Sequence, residues 1–279
     1  MKILPSSLLF VFFFAGFVFG EVVVIDDAKI LRGLEKEMSA LAESGVELRG
    51  EKVKEAVQDA GKNWSGKKKG AQVEGGSYAE LSESVFLIAH AFNCGKCDKW
   101  HLGGVATAWC LGSDGIMVTN YHVLDNAAGE AWAICSRDGK VFPVVEILAA
   151  SKKEDLAIFR VEGSDFKGLP LGKPAEVGSE VRVLSHPNRK LFMQTTGEVS
   201  RYFNQRRKGG GGAVRMAITA DYAKGSSGGP VFNKDGKVVG VVASTNSIYY
   251  GKDDEGDATN LQMVIKNTIP VSALRKMLE

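Results

Sequence analysis

Only four histidines (His90, His101, His122 and His186) and only four cysteines occur among the 279 residues. Chemistry that needs an imidazole base must therefore draw on one of four positions. An excess of charge is lacking too. The 35 basic and 33 acidic side chains leave a net +2, which gives no electrostatic ground for nucleic-acid binding. Lys67-Lys68-Lys69 and Arg206-Arg207 read as solvated linker and loop residues rather than phosphate sites. The apolar stretch at residues 8–18 is too short for a bilayer span. With Lys2 ahead of it and Val18-Phe19-Gly20 behind, it reads as an export signal cleaved after Gly20, giving a secreted or periplasmic chain that starts at Glu21. An uncleaved anchor is the competing reading. No stable membrane association is expected once the signal is removed.

What the chain does have is Gly225-Ser226-Ser227-Gly228-Gly229-Pro230. Small residues around a serine let a substrate backbone approach closely and let the chain adopt positive φ. Read alone, the segment is a nucleophile mount at Ser227 or a plain glycine-rich turn before the strand at 231–232. A serine hydroxyl needs a base, and the base needs an orienting group. His122 follows the strand-like run Gly115-Ile116-Met117-Val118, where a base is commonly presented on a rigid scaffold. Asp155 heads another apolar run, Leu156-Ala157-Ile158. The order His, Asp, Ser is one in which catalytic triads recur. His90 reads as a barrel-face residue, and His186, before Pro187, as structural.

These segments resemble the trypsin-like serine endopeptidases of the chymotrypsin superfamily, on the bacterial HtrA/Deg and glutamyl-endopeptidase side. The resemblance rests on Thr119-Asn120-Tyr121-His122-Val123, Glu154-Asp155-Leu156-Ala157 and the Ser227 motif, and covers about residues 80–279. Ser185-His186-Pro187, Thr196-Gly197-Glu198-Val199 and the 235–241 segment add to it. It implies two six-stranded antiparallel barrels, with His122 and Asp155 from the first, Ser227 from the second and the site between them. It also implies an oxyanion hole from the N–H groups of Gly225 and Ser227, hydrolysis of peptide bonds through an acyl-enzyme, no cofactor and no metal. An ungapped match puts Asp221 at the base of the primary pocket, favouring Arg or Lys in the substrate, while a gapped match moves it out. Read from its neighbours alone, Asp221 is a structural turn residue. Ala243, Ser244 and Thr245 would line that pocket and offer backbone to the substrate. Digestive trypsins carry an Asp just before the nucleophile to pair with a new N-terminus; Ser226 stands there, so activation by N-terminal insertion is not expected. A C-terminal PDZ domain of the kind many HtrA proteins carry is not expected.

The expected fold is all-β, with a helical N-terminal extension and a short C-terminal helix. The division reads as a signal peptide at 1–20, a helical extension and linker at 21–76, and a protease domain at 77–279, with barrel one about 77–163 and barrel two about 164–279. Helical periodicity marks 27–43 and 51–60, and 62–77 reads as linker. Strand-like runs lie at 84–91, 104–111, 115–119, 130–136, 141–149 and 155–161, then at 180–185, 191–203, 214–220, 230–233, 237–245 and 260–265. Residues 209–212 read as a flexible loop tip, and the segment from 269 as a closing helix. An even cysteine count in an exported protein suggests disulfides. The favoured pairing joins Cys110 to Cys135, leaving Cys94 and Cys97 to close their own loop. A metal site from Cys94, Cys97 and His101, with Asp98, is the alternative. Two other functions stand beside the protease: a non-catalytic, chaperone-like binding module, and an esterase. The esterase is disfavoured because Ser227 is not in a strand–elbow–helix G-x-S-x-G.

Overall fold

The computed structural model describes residues 22–45, 51–66, 72–125, 129–206 and 212–279. The expected signal segment, the Lys67-Lys68-Lys69 run and all but the last residue of the 209–212 loop lie outside them. From residue 85 the alternating segments close into two antiparallel barrels. The first contains β1 (Val85–Asn93), β2 (Trp100–Gly112), β3 (Ile116–Thr119), β4 (Ala131–Cys135), β5 (Val141–Ser151) and β6 (Leu156–Val161), in the spatial order β1-β2-β3-β6-β5-β4. The second contains β7 (Glu180–Ser185), β8 (Met193–Arg206), β9 (Gly212–Ile218), β10 (Pro230–Phe232), β11 (Val238–Lys252) and β12 (Ala258–Pro270), in the order β10-β11-β12-β9-β8-β7. Closure gives each strand a neighbour on both sides over at least part of its length.

Both faces of β1 are buried along Val85–Ala91, so both helices of the extension find an apolar partner. Helix α1 (Asp27–Ser44) places Ile30, Leu34, Met38 and Ala42 in one cluster with Val85, Leu87 and Ala89 of β1. Helix α2 (Glu51–Asp59) places Val53 and Val57 in another with Phe86 and Ile88. Helix α1 starts where the Asp26 carboxylate accepts the Lys29 N–H, and stops at Gly45 in the left-handed region (φ 77°). Asp27 also accepts the Leu191 N–H at 3.0 Å, tying the extension to the second barrel. The 62–77 linker is followed by a short helix, α3 (Tyr78–Ser82), closed by a Ser77/Glu80 capping box. The chain ends in α5 (Val271–Met277), with Pro270 as its N-cap.

Two expectations change. Strands β11 and β12 pair from Gly240↔Pro270 out to Lys252↔Ala258, well beyond the expected 245 and 260–265 limits. The added arm exposes Ile248, Tyr249, Tyr250, Leu261 and Met263, so it lacks the in–out alternation that marks a half-buried strand. The second change concerns the cysteines: all four are free thiols. Strands β2 and β4 both flank β1, with Val85 opposite Trp109 and Leu87 opposite Cys135. Opposed residues share a face, and so do residues two apart. Cys135 therefore lies on the face of Trp109, and Cys110 on the other. The two thiols sit in different apolar clusters, and burial pushes each up to about 12.

Candidate active site

Strand β3 ends at Thr119 and turns directly into a single helical turn, α4 (Tyr121–Leu124), which carries His122. Asp155 precedes β6 in the left-handed region (φ 62°), a conformation that Asp tolerates better than most side chains. Its backbone is held from both sides: its N–H donates to Ser151 O at 2.7 Å, and its carbonyl accepts from Asn120 Nδ2 at 2.9 Å. The carboxylate then meets His122 twice. Oδ1 accepts the His122 backbone N–H at 3.1 Å, and both oxygens lie 3.0 Å from Nδ1. With Nδ1–H donating to the carboxylate, Nε2 is left as the proton acceptor. Asp155 is the more enclosed partner, its side chain 18% exposed against 49% for His122.

The Ser227 turn comes from the second barrel and is stitched to the first. The Thr107 N–H donates to Ser227 O at 2.9 Å, and Thr107 Oγ1 donates to Gly225 O at 2.9 Å. Thr119 Oγ1 in turn donates to Thr107 O at 2.8 Å. Both threonines are fully buried. Gly228 (φ 85°) packs so closely here that an added Cβ would lie 2.3 Å from Thr119 Oγ1. The segment bearing Ser227 thus touches β3 three residues before His122. Ser227 itself is half-buried. Ser226 is fully buried and accepts a hydrogen bond from Ser185 Oγ at 2.9 Å, so a neutral hydroxyl pair occupies its site.

The backbone of the turn is polarised. The N–H groups of Ser226, Gly228 and Gly229 donate to Ala223, Val242 and Ser226 carbonyls. Among the described residues, the N–H groups of Gly225 and Ser227 have no hydrogen-bond partner. Gly225 has φ 99°, and a Cβ there would lie 2.4 Å from His186 O. Gly225→Ala should therefore twist this peptide. In the role proposed for Gly225 below, as an oxyanion donor, that change should lower kcat by about 10²–10³-fold, which steady-state kinetics with an unchanged KM would register.

Asp221 is not among the residues that line the cleft beside Ser244 and Thr245. Its carboxylate is 80% exposed and lies 2.6 Å from Lys266 Nζ, whose own side chain is 13% exposed. The hydrogen bond from Lys266 holds the Asp221 carboxyl below its ordinary value, and the Tyr222 N–H donates to the same oxygen at 3.0 Å. Lys266 also donates to Tyr222 O. Tyr222 is the residue that sequence reasoning missed. It is buried, and its hydroxyl lies 3.0 Å from Ser244 O and 2.8 Å from Asn267 O, joining β11 to β12. Ala243 is buried, while Ser244 and Thr245 are exposed. Ser244 and Thr245 line a cleft of about 330 Å³ with Arg201, Phe203 and Asn267. Strand β10 pairs with β11 only as far as Val241. Past Val242, no described strand covers that edge of β11.

The other two core histidines are structural. His186 Nδ1 accepts the Phe192 N–H at 3.0 Å, and burial pushes its pKa down to about 4. His90 packs on Trp132, with ring centroids 4.7 Å apart, and burial lowers it to about 4 as well. Both are neutral when folded, whereas an unfolded imidazole ionises near 6.5. Their contribution is thus complete above about pH 6.5 and is lost as pH falls toward 4. His186→Gln should flatten the fall in thermal stability between pH 7 and 4.5, by about 2–3 kcal/mol of linkage. Melting curves with unchanged pH slope would contradict this assignment.

The double barrel, with a His–Asp pair on one half and a serine turn docked from the other, defines the architecture of the trypsin-like class. Residues 106–241 match the model of the trypsin-like peptidase domain. The chain is 33% identical over 167 residues to the anti-sigma-I factor RsgI9 of Acetivibrio thermocellus, covering 58% of this chain and 22% of that one. It is 28% identical over 141 residues to a probable periplasmic serine endoprotease DegP-like of Halomonas elongata, covering 49% and 28%. The chain spans about a quarter of the length of these relatives. Among solved structures, the active form of the Rv3671c protease from M. tuberculosis superposes with a TM-score of 0.55 at 22% identity, over 72% of this chain and 81% of that one. Among the described residues, no helix is long and apolar enough to cross a membrane.

Proposed function

We propose that this protein is an exported serine endopeptidase that cleaves protein or peptide substrates with Ser227, His122 and Asp155. The observation that carries the reading is the His122–Asp155 pair, with Nδ1 3.0 Å from the carboxylate and Nε2 left to act as base. Ser227 Oγ attacks the scissile carbonyl as His122 takes its proton. The carbonyl oxygen gains charge and is met by the N–H groups of Gly225 and Ser227. His122, now positive and stabilised by Asp155, protonates the leaving amine; water then hydrolyses the acyl-enzyme by the same route. A substrate strand pairs with the uncovered edge of β11 from Ala243 to Thr245 and is held by backbone hydrogen bonds. A preference for Arg or Lys is not part of this reading, because Lys266 already neutralises Asp221.

Export into the periplasm or medium rests on the N-terminal signal-like segment and on the periplasmic serine endoprotease similar to this chain. Incubating the exported chain with casein and a fluorophosphonate probe tests the reading. Casein cleavage with labelling supports an endopeptidase. Labelling without cleavage marks an esterase, and neither marks a binding module.

A further inference from the structure

The β1–β2 turn carries Cys94-Gly95-Lys96-Cys97, and His101 follows on β2, opposite Phe92. Gly95 has φ 67°, and its N–H donates to Asn93 Oδ1 at 2.7 Å, so the turn doubles back tightly. Its geometry brings three soft donors together. Cys94 Sγ lies 3.5 Å from Cys97 Sγ, and Cys97 Sγ lies 3.2 Å from His101 Nε2. All three donor atoms lie within 4.8 Å of one another. A disulfide would require a sulfur separation of about 2.05 Å. A tetrahedral zinc ion, with Zn–S near 2.3 Å and Zn–N near 2.0 Å, sets its sulfurs about 3.8 Å apart and sulfur to nitrogen about 3.5 Å apart. The observed separations fall within a few tenths of an ångström of those edges.

The proposed active site makes no use of these residues, and apolar packing does not explain them either. Both thiols are exposed, unlike Cys110 and Cys135. A cleft of about 470 Å³ reaches Cys94 and His101, and Glu35 of α1 also lines it. We propose that Cys94, Cys97 and His101 bind a thiophilic divalent cation of the zinc class, with a fourth position open to water. Three protein ligands with one open position is an established zinc arrangement, and two thiolates select against hard cations such as magnesium and calcium. The ion would clasp the tip of the β1–β2 hairpin beside α1.

The test uses the full exported chain, reduced and then freed of reductant under anaerobic conditions. Titration with cobalt(II) should give the near-ultraviolet thiolate charge-transfer band and the visible bands of a tetrahedral site, saturating at one equivalent. Zinc should displace the cobalt, and elemental analysis after dialysis should find one zinc per chain. Cys97→Ser and His101→Ala should each weaken zinc binding by more than the roughly 10–100-fold that loss of an outer-shell partner costs, whereas Cys135→Ser should leave it unchanged. Melting curves check that each variant folds. A chain isolated with Cys94 and Cys97 oxidised that takes up zinc after reduction still supports the site. A reduced chain that binds neither cobalt nor zinc overturns it, as does a cobalt spectrum that survives in the Cys94→Ser/Cys97→Ser double variant.

Discussion

Ser227→Ala should lower kcat for peptide hydrolysis by about 10⁶-fold while leaving KM and the melting temperature nearly unchanged. The side chain is half-buried, and its loss opens no core cavity. The turn is held by backbone groups: Ser227 O on the Thr107 N–H, and the Gly228 and Gly229 N–H groups on Val242 and Ser226 carbonyls. Alanine disturbs none of these bonds. Substrate should still bind along β11, so the defect should appear in the chemical step. A residual rate above the uncatalysed background is expected from the oxyanion donors alone. A variant that kept more than about a hundredth of the wild-type kcat would place the nucleophile elsewhere.

Asp155→Asn should lower kcat by about 10⁴-fold, with little loss of stability. Asn accepts the left-handed conformation at φ 62° as readily as Asp, and its amide oxygen can still accept the His122 backbone N–H. What changes is the ring tautomer. The amide NH₂ donates to Nδ1, the proton moves to Nε2, and the ring can no longer take one from Ser227. The structure thus predicts loss of rate without loss of fold, which kcat and thermal melts on one preparation would separate. A stable variant with kcat near wild type would mean that His122 does not depend on this carboxylate.

The parts legible in the sequence are those written within a few residues. The Ser227 turn, the His122 segment and the twelve strand-like runs depend on local composition and period. The capping box at Ser77 and Glu80 is equally local, and an S-x-x-E reading would have found α3. What stayed hidden depends on pairing between distant strands. Asp221 is turned outward by Lys266, which sits on β12 opposite Thr245. Tyr222 joins the carbonyls of β11 and β12, so its role exists only once those strands are in register. The unbridged state of Cys110 and Cys135 follows from their parity across β1, which an even cysteine count does not reveal. The β11–β12 arm escaped because its exposed apolar residues erase the alternation on which strand reading relies.

The most direct measurement is to label the purified chain with a fluorophosphonate and map the adduct by tandem mass spectrometry of its peptides. The account predicts a single adduct on Ser227, lost in Ser227→Ala and greatly slowed in His122→Ala. An adduct on Ser226 or any other serine, or an unlabelled chain that still cleaves casein, would contradict it.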